Sequence, residues 1–224
     1  MNTLIMSKPL YLSEHYNIPV EQSAWNGLYM DVPKQGRTPD RSRASFSSWQ
    51  KSLTPTSQQA QDIETTFGIY ILAMDIPMPA YYVGIASGTG SHPEGVGNRI
   101  RKHRVKFSGA HVGGNQRSVG GVNHTQGWRE FAPARHRHFS ATGVSDCCSD
   151  VRLIVGEVTL ESGLVIHEKA TLERFESSIA TNENQVLVQI MERLWPNLGQ
   201  AHVQRLITRH GKLKLESGDR ILLW

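Results

Sequence analysis

Nine lysines and arginines stand between Gly97 and His138: Arg99, Arg101, Lys102, Arg104, Lys106, Arg117, Arg129, Arg135 and Arg137. They face a single acid, Glu130, so this stretch of 42 residues carries +8 against a whole-chain charge of +4. It also holds five of the ten histidines. A segment of this kind meets polyanions, or else forms a solvated basic helix face. Arg99 and His103 are four residues apart, which on a helix is one turn on one face. A guanidinium offers phosphate a permanently charged fork, and an imidazole titrates near neutrality. Beyond the basic segment, Glu168, Glu173 and Glu176 offer carboxylates within nine residues of one another.

Two other patterns point to chemistry that their context does not support. The run Gly84-Ile85-Ala86-Ser87-Gly88-Thr89-Gly90-Ser91 looks like a phosphate-binding loop. No Gly-Lys-Ser/Thr follows it and no parallel βαβ unit surrounds it, so it reads as a hinge between strand and helix. His136 and His138 with the adjacent Cys147 and Cys148 suggest zinc, yet ligand pairs spaced for a tetrahedral site are absent. Adjacent cysteines also suit no ordinary disulfide, which fits a reducing compartment.

The elements that must position these groups follow from hydrophobic period and punctuation. Phe67 to Met74 and Ala80 to Ala86 are short apolar, β-rich runs that fit buried strands. Pro77 and Pro79 between them cannot continue a central strand, so the two runs predict a hairpin with a longer loop. Val96, Ile100, His103 and Phe107 recur at helical spacing, and Trp128, Phe131 and Phe139 predict a helix ending near Gly143. Val151 to Val158 reads as a third strand, and residues 166–180 as an amphipathic helix on Leu172, Phe175 and Ile179. Helices are predicted over Val186 to Leu194 and Ala201 to Arg209, and a terminal hairpin over Lys212 to Leu223. Residues 1 to about 60 are polar and turn-rich, an extended arm with one short helix before Phe67. The order predicts an α+β fold with a small, mostly antiparallel sheet flanked by helices.

Gly68-Ile69-Tyr70 and Tyr82-Val83-Gly84, followed by a helix with Arg99 and His103, resemble the signature of the GIY-YIG nuclease superfamily. The resemblance covers residues 67–107 with the later strand and helix, roughly half the chain. It implies a domain over 61–200 with an insertion at 108–146, between a 1–60 arm and a 201–224 extension of helix and hairpin. In that superfamily each paired strand places one tyrosine in an active site, and a later helix supplies a metal-binding glutamate. The family glutamate has apolar residues four before, one before and three after it. Leu172, Phe175 and Ile179 fill those places for Glu176, which is preferred, with Glu173 as the alternative. A downstream asparagine is also implied; the usual proline-asparagine pattern is missing, and Asn182 and Asn184 are the candidates.

The resemblance implies a metal-dependent endonuclease hydrolysing phosphodiester bonds in DNA, of restriction or mobile-element type. Glu176 holds Mg²⁺ or Mn²⁺, because such an ion prefers oxygen ligands and keeps several waters. Arg99 forks onto phosphate, Tyr70 is the general base, Tyr82 orients water or phosphate, and His103 relays a proton. Tyr70, with a free value of about 10, needs positive charge nearby for that role. Arg101, Lys102, Arg104 and Lys106 are expected on the phosphate backbone, and His111, Arg117 and Arg129 to make DNA contacts in the insertion. No small-molecule cofactor is implied. Homodimerisation is left open, since cutting two strands with one site per chain requires pairing or sequential nicks. A catalytically inactive DNA-binding module on the same fold is the alternative. No apolar run approaches the roughly 18 to 20 residues that span a bilayer, and the N-terminus lacks signal-peptide order, so a soluble cytoplasmic protein is expected.

Overall fold

The computed structural model describes residues 1–17, 53–76, 79–89, 93–107, 138, 149–181, 185–198 and 213–224, with backbone alone for 102–107 and 181. Its elements are β1 (Asn2–Met6), β2 (Leu10–Tyr11), α1 (Leu12–His15), β3 (Tyr16–Asn17), β4 (Thr54–Pro55), α2 (Gln58–Thr65), β5 (Gly68–Met74), β6 (Ala80–Ala86) and α3 (Val96–Phe107). They continue with β7 (Arg152–Leu160), β8 (Val165–Ile166), α4 (Lys169–Thr181), α5 (Val186–Leu194) and β9 (Arg220–Leu222). The fold is α+β. The main sheet runs β6-β5-β7-β1-β9, with β2 and β8 on β7, while β3 and β4 pair separately. Every pairing is antiparallel except β1 with β9.

Both faces of the central strands are buried because both sets of alternating residues are apolar. On one face Tyr70, Leu72, Met74 and Tyr82 pack with Leu153 and Val155 under α2 and α3. On the other, Ile69, Ile71, Val83 and Ile154 pack against Leu172, Phe175 and Ile179 of α4 and against α5. The expected hairpin of two buried strands is present, in the register Tyr70↔Gly84 and Leu72↔Tyr82.

At the far end of that hairpin, Arg152 pairs with Asp75, and the Trp195 indole N–H donates to the same carboxylate at 2.5 Å. Asp150 accepts the N–H groups of Asp75 and Ile76 at 2.8 and 3.0 Å. The Arg152 guanidinium also lies over the Trp195 ring at 5.0 Å, a cation–π contact. These contacts fix the turn out of β5 to the start of β7 and the end of α5.

Two expectations are corrected. Residues 2–6 do not belong to an arm: Leu4 and Met6 are buried among the α4-side core, and β1 pairs along β7 from Asn2↔Leu160 to Met6↔Gly156. Five residues with two inward apolar side chains suffice for a strand, and the polar composition of the first sixty masked them. The C-terminus does turn at Ser217-Gly218, where the Asp219 N–H donates to the Glu216 carbonyl at 3.1 Å. It is not a hairpin, however: β9 lies parallel to β1, in the register Leu4↔Ile221. The ends of the chain favour this pairing because the Asn2 N–H donates to Asp219 at 2.9 Å, and Arg174 of α4 pairs with Glu216 and lies 3.6 Å from Asp219.

The helices expected near Phe131 and over 201–209 and the 108–146 insertion fall outside the described residues, apart from the helical His138. No helix among the described residues is long and apolar enough to cross a membrane.

Candidate active site

Strand β6 is one edge of the main sheet, and both α3 and α4 contact it. Tyr70 and Tyr82 project on the α3 side and are fully buried there, with ring centroids 6.1 Å apart. The Tyr70 phenol lies across its register partner: a Cβ at Gly84 would stand 2.5 Å from Tyr70 Cζ and Oη and 2.8 Å from Tyr82 Cε1. Glycine at 84 is therefore the condition for this arrangement, because any side chain there occupies the space of the tyrosine ring.

Helix α3 brings Arg99 to the same place. The helix is seated by the Val96 N–H on the Thr66 carbonyl at 2.9 Å, and by Arg101, which reaches Glu64 of α2 at 2.6 Å and the Leu53 carbonyl at 3.2 Å. Gly97 lets the Glu64 carboxylate approach the first turn of α3, where a Cβ would collide with it. From this seat Arg99 forms a side-chain hydrogen bond with Tyr70, and Tyr70 forms one with Tyr82. Arg99 Nη1 also lies 3.9 Å from Glu94, in the turn that precedes the helix.

Glu176 approaches from the opposite layer. Its neighbour Phe175 is buried against the sheet, and Glu176, one position on, is half-buried and close enough to raise both tyrosines electrostatically. Burial, then the Glu173 charge, push the Glu176 carboxyl up to about 8, against the pull of Arg99 and Lys169. Burial pushes Tyr70 up to about 12; the charge and hydrogen bond of Arg99 oppose this, Glu176 adds to it, and the Tyr82 hydrogen bond opposes it. Burial, with Tyr70 and Glu176, holds Tyr82 well above the usual phenol range. Burial works against the charge on Arg99, yet Tyr70, Tyr82 and Glu94 outweigh it and raise its pKa.

The structure thus brings Tyr70, Tyr82, Arg99 and Glu176 into one electrostatic field. Glu173 is half-buried, 3.4 Å from Lys169, and close enough to Glu176 to be the largest charge acting to raise its pKa. Arg101 is engaged within the fold: its guanidinium is taken up by Glu64 and the Leu53 carbonyl and braces the helix. Lys102, His103, Arg104 and Lys106 lie on α3, His103 one turn after Arg99, with backbone alone described. Asn182, Asn184, His111, Arg117 and Arg129 lie outside the described residues. Sequence reasoning missed Glu94, which lies in a stretch read only as a loop. The available signal was an acid five residues ahead of Arg99, at the mouth of a predicted helix.

Among the described residues no three His, Cys, Asp or Glu side chains form a metal cage. Glu176 offers a single carboxylate whose ionisation burial opposes, so a nearby cation would favour its charged form. That donor set fits a hydrated Mg²⁺ or Mn²⁺, which needs only one or two carboxylates, and not a tetrahedral zinc site. No protein family, curated protein or solved structure matches the chain.

Proposed function

We propose that this protein is a metal-dependent endonuclease that hydrolyses phosphodiester bonds in DNA on a GIY-YIG-type core. The observation that carries the reading is the meeting of Tyr70, Tyr82, Arg99 and Glu176 at the β6 edge from four separate elements. An aromatic pair in a purely structural core has no need of a half-buried cation and carboxylate beside its hydroxyls. The +8 segment of the sequence begins on α3, the helix that carries Arg99, and a polyanionic substrate calls for such charge.

In this reading Arg99 donates to non-bridging phosphate oxygens and stabilises charge that grows in the transition state. Tyr70, near 12, keeps its proton at neutral pH and acts as a donor that orients water or phosphate, so the base role expected of it is not supplied by the protein's own charges. Tyr82 fixes Tyr70 through their shared hydrogen bond. His103, one turn from Arg99, is the proton relay. Glu176 would hold Mg²⁺ or Mn²⁺, which when bound would supply Lewis-acid stabilisation of charge growing on the phosphate. The basic insertion holds the duplex through Arg117 and Arg129.

The test is nicking of supercoiled plasmid in Mg²⁺ and in EDTA, with Arg99→Ala alongside. The wild type nicks only with metal, and Arg99→Ala loses nicking. DNA retention without cleavage in either metal would instead establish the inactive DNA-binding module.

A further inference from the structure

We propose that Glu94 is a positioning residue that holds the Arg99 guanidinium against Tyr70, an inference that rests on the nuclease reading for its catalytic consequence. The Glu94 carboxylate lies 3.9 Å from Arg99 Nη1, and both side chains are largely covered, at 20% and 29% exposure. Beyond hydrogen-bond reach, the carboxylate attracts the guanidinium without consuming one of its N–H donors. Arg99 therefore stays aligned while an edge of its fork remains available to phosphate. The need for such a partner is visible in Arg99 itself, whose Nε is buried without a hydrogen bond, so no acceptor fixes the base of the fork.

Glu94 can do this because its backbone is braced on both sides. Its N–H donates to the Ser87 carbonyl at 3.1 Å, tying it to the end of β6. Two residues on, the Val96 N–H is held by Thr66, and Gly95 packs so closely on the Glu64 carbonyl that a Cβ would collide with it. The carboxylate is thus carried on a turn fixed to β6, to the segment before β5 and to α2, which are the elements that frame Tyr70 and Tyr82. A surface acid that happened to face an arginine would have no such mounting.

The experiment uses the full chain labelled with ¹⁵N-arginine, and compares wild type, Glu94→Gln and Glu94→Asp. It reads rotation about the Arg99 Nε–Cζ bond by NMR, assigns the signal by its loss in Arg99→Lys, and measures metal-dependent nicking in parallel. Signals of the paired Arg101 and Arg152 report an intact fold. Wild type shows hindered rotation at Arg99. Glu94→Gln averages it and lowers kcat on the order of ten- to a hundredfold, with KM nearly unchanged, as expected when a reacting group is misaligned. Glu94→Asp recovers part of both. Unchanged Arg99 rotation in Glu94→Gln overturns the proposal, as does freed rotation with wild-type kcat. If the wild type does not nick DNA, the nuclease reading falls, and Arg99 rotation still decides whether Glu94 holds the guanidinium.

Discussion

Replacing Gly84 by alanine adds one methyl group at the point where the proposed site is tightest. The new Cβ would lie 2.5 Å from Tyr70 Cζ and Oη, whereas ordinary contact begins at 3.4 Å, so the ring must retreat by about 0.9 Å. Tyr82, at 2.8 Å from the same Cβ, must yield by about 0.6 Å. Both rings are buried among Leu72, Val96, Ile100 and Leu153, which leaves little room for the movement. Overpacking of this size costs about 1–3 kcal/mol. A shift near 1 Å in a reacting group costs about a hundredfold in rate. Urea unfolding should show a lower midpoint at unchanged slope. Nicking at saturating DNA should fall by about two orders of magnitude. A Gly84→Ala protein with wild-type midpoint and wild-type rate would refute the placement of Tyr70 across Gly84 and the geometry built on it.

Other outcomes follow from the same arrangement. Glu176 has a folded pKa near 8 against an ordinary 4.5, so its contribution to stability is fully present below pH 4.5 and is lost as pH rises through 8. In EDTA, wild type should therefore lose on the order of a few kcal/mol more than Glu176→Gln between pH 4.5 and 9; parallel urea curves would contradict this. Glu173→Gln removes a charge that raises Glu176, so it should lower the Glu176 pKa and keep metal-dependent nicking; loss of that cleavage would transfer the ligand role to Glu173. Arg101→Ala should destabilise the fold by about 1–3 kcal/mol, by leaving Glu64 without its partner, and change the salt dependence of DNA binding little. Arg117→Ala and Arg129→Ala should each weaken DNA binding and reduce the slope of log affinity against log salt by about one; an unchanged slope removes them from the interface.

What could be read from the chain follows the range of the interactions involved. Gly68–Met74 and Ala80–Ala86 declare themselves because both alternating sets of side chains are apolar and prolines mark the break between them. Leu172, Phe175 and Ile179 likewise fix which side of α4 faces the sheet, and with it the approach of Glu176. The β1 strand is short, and its pairing with β7 joins residues 150 or more positions apart, which no local pattern encodes. The same holds for β9, whose partner is the N-terminal strand and not its sequence neighbour. Arg101 looked like its basic neighbours because its commitment to Glu64 depends on how α2 packs on α3. Glu94 was hidden for the converse reason: its loop looked permissive, and only the backbone bonds to Ser87 and from Val96 to Thr66 reveal that it is fixed.

The most direct test of the central claim is single-turnover cleavage of plasmid by wild type and Glu176→Gln in Mg²⁺ and in EDTA, with DNA affinity measured on the same samples. Wild type should cleave in Mg²⁺ and not in EDTA, and Glu176→Gln should bind DNA as the wild type does without cutting it. Equal cleavage by the two proteins, or wild-type binding with no cleavage in Mg²⁺ or Mn²⁺, would contradict that claim.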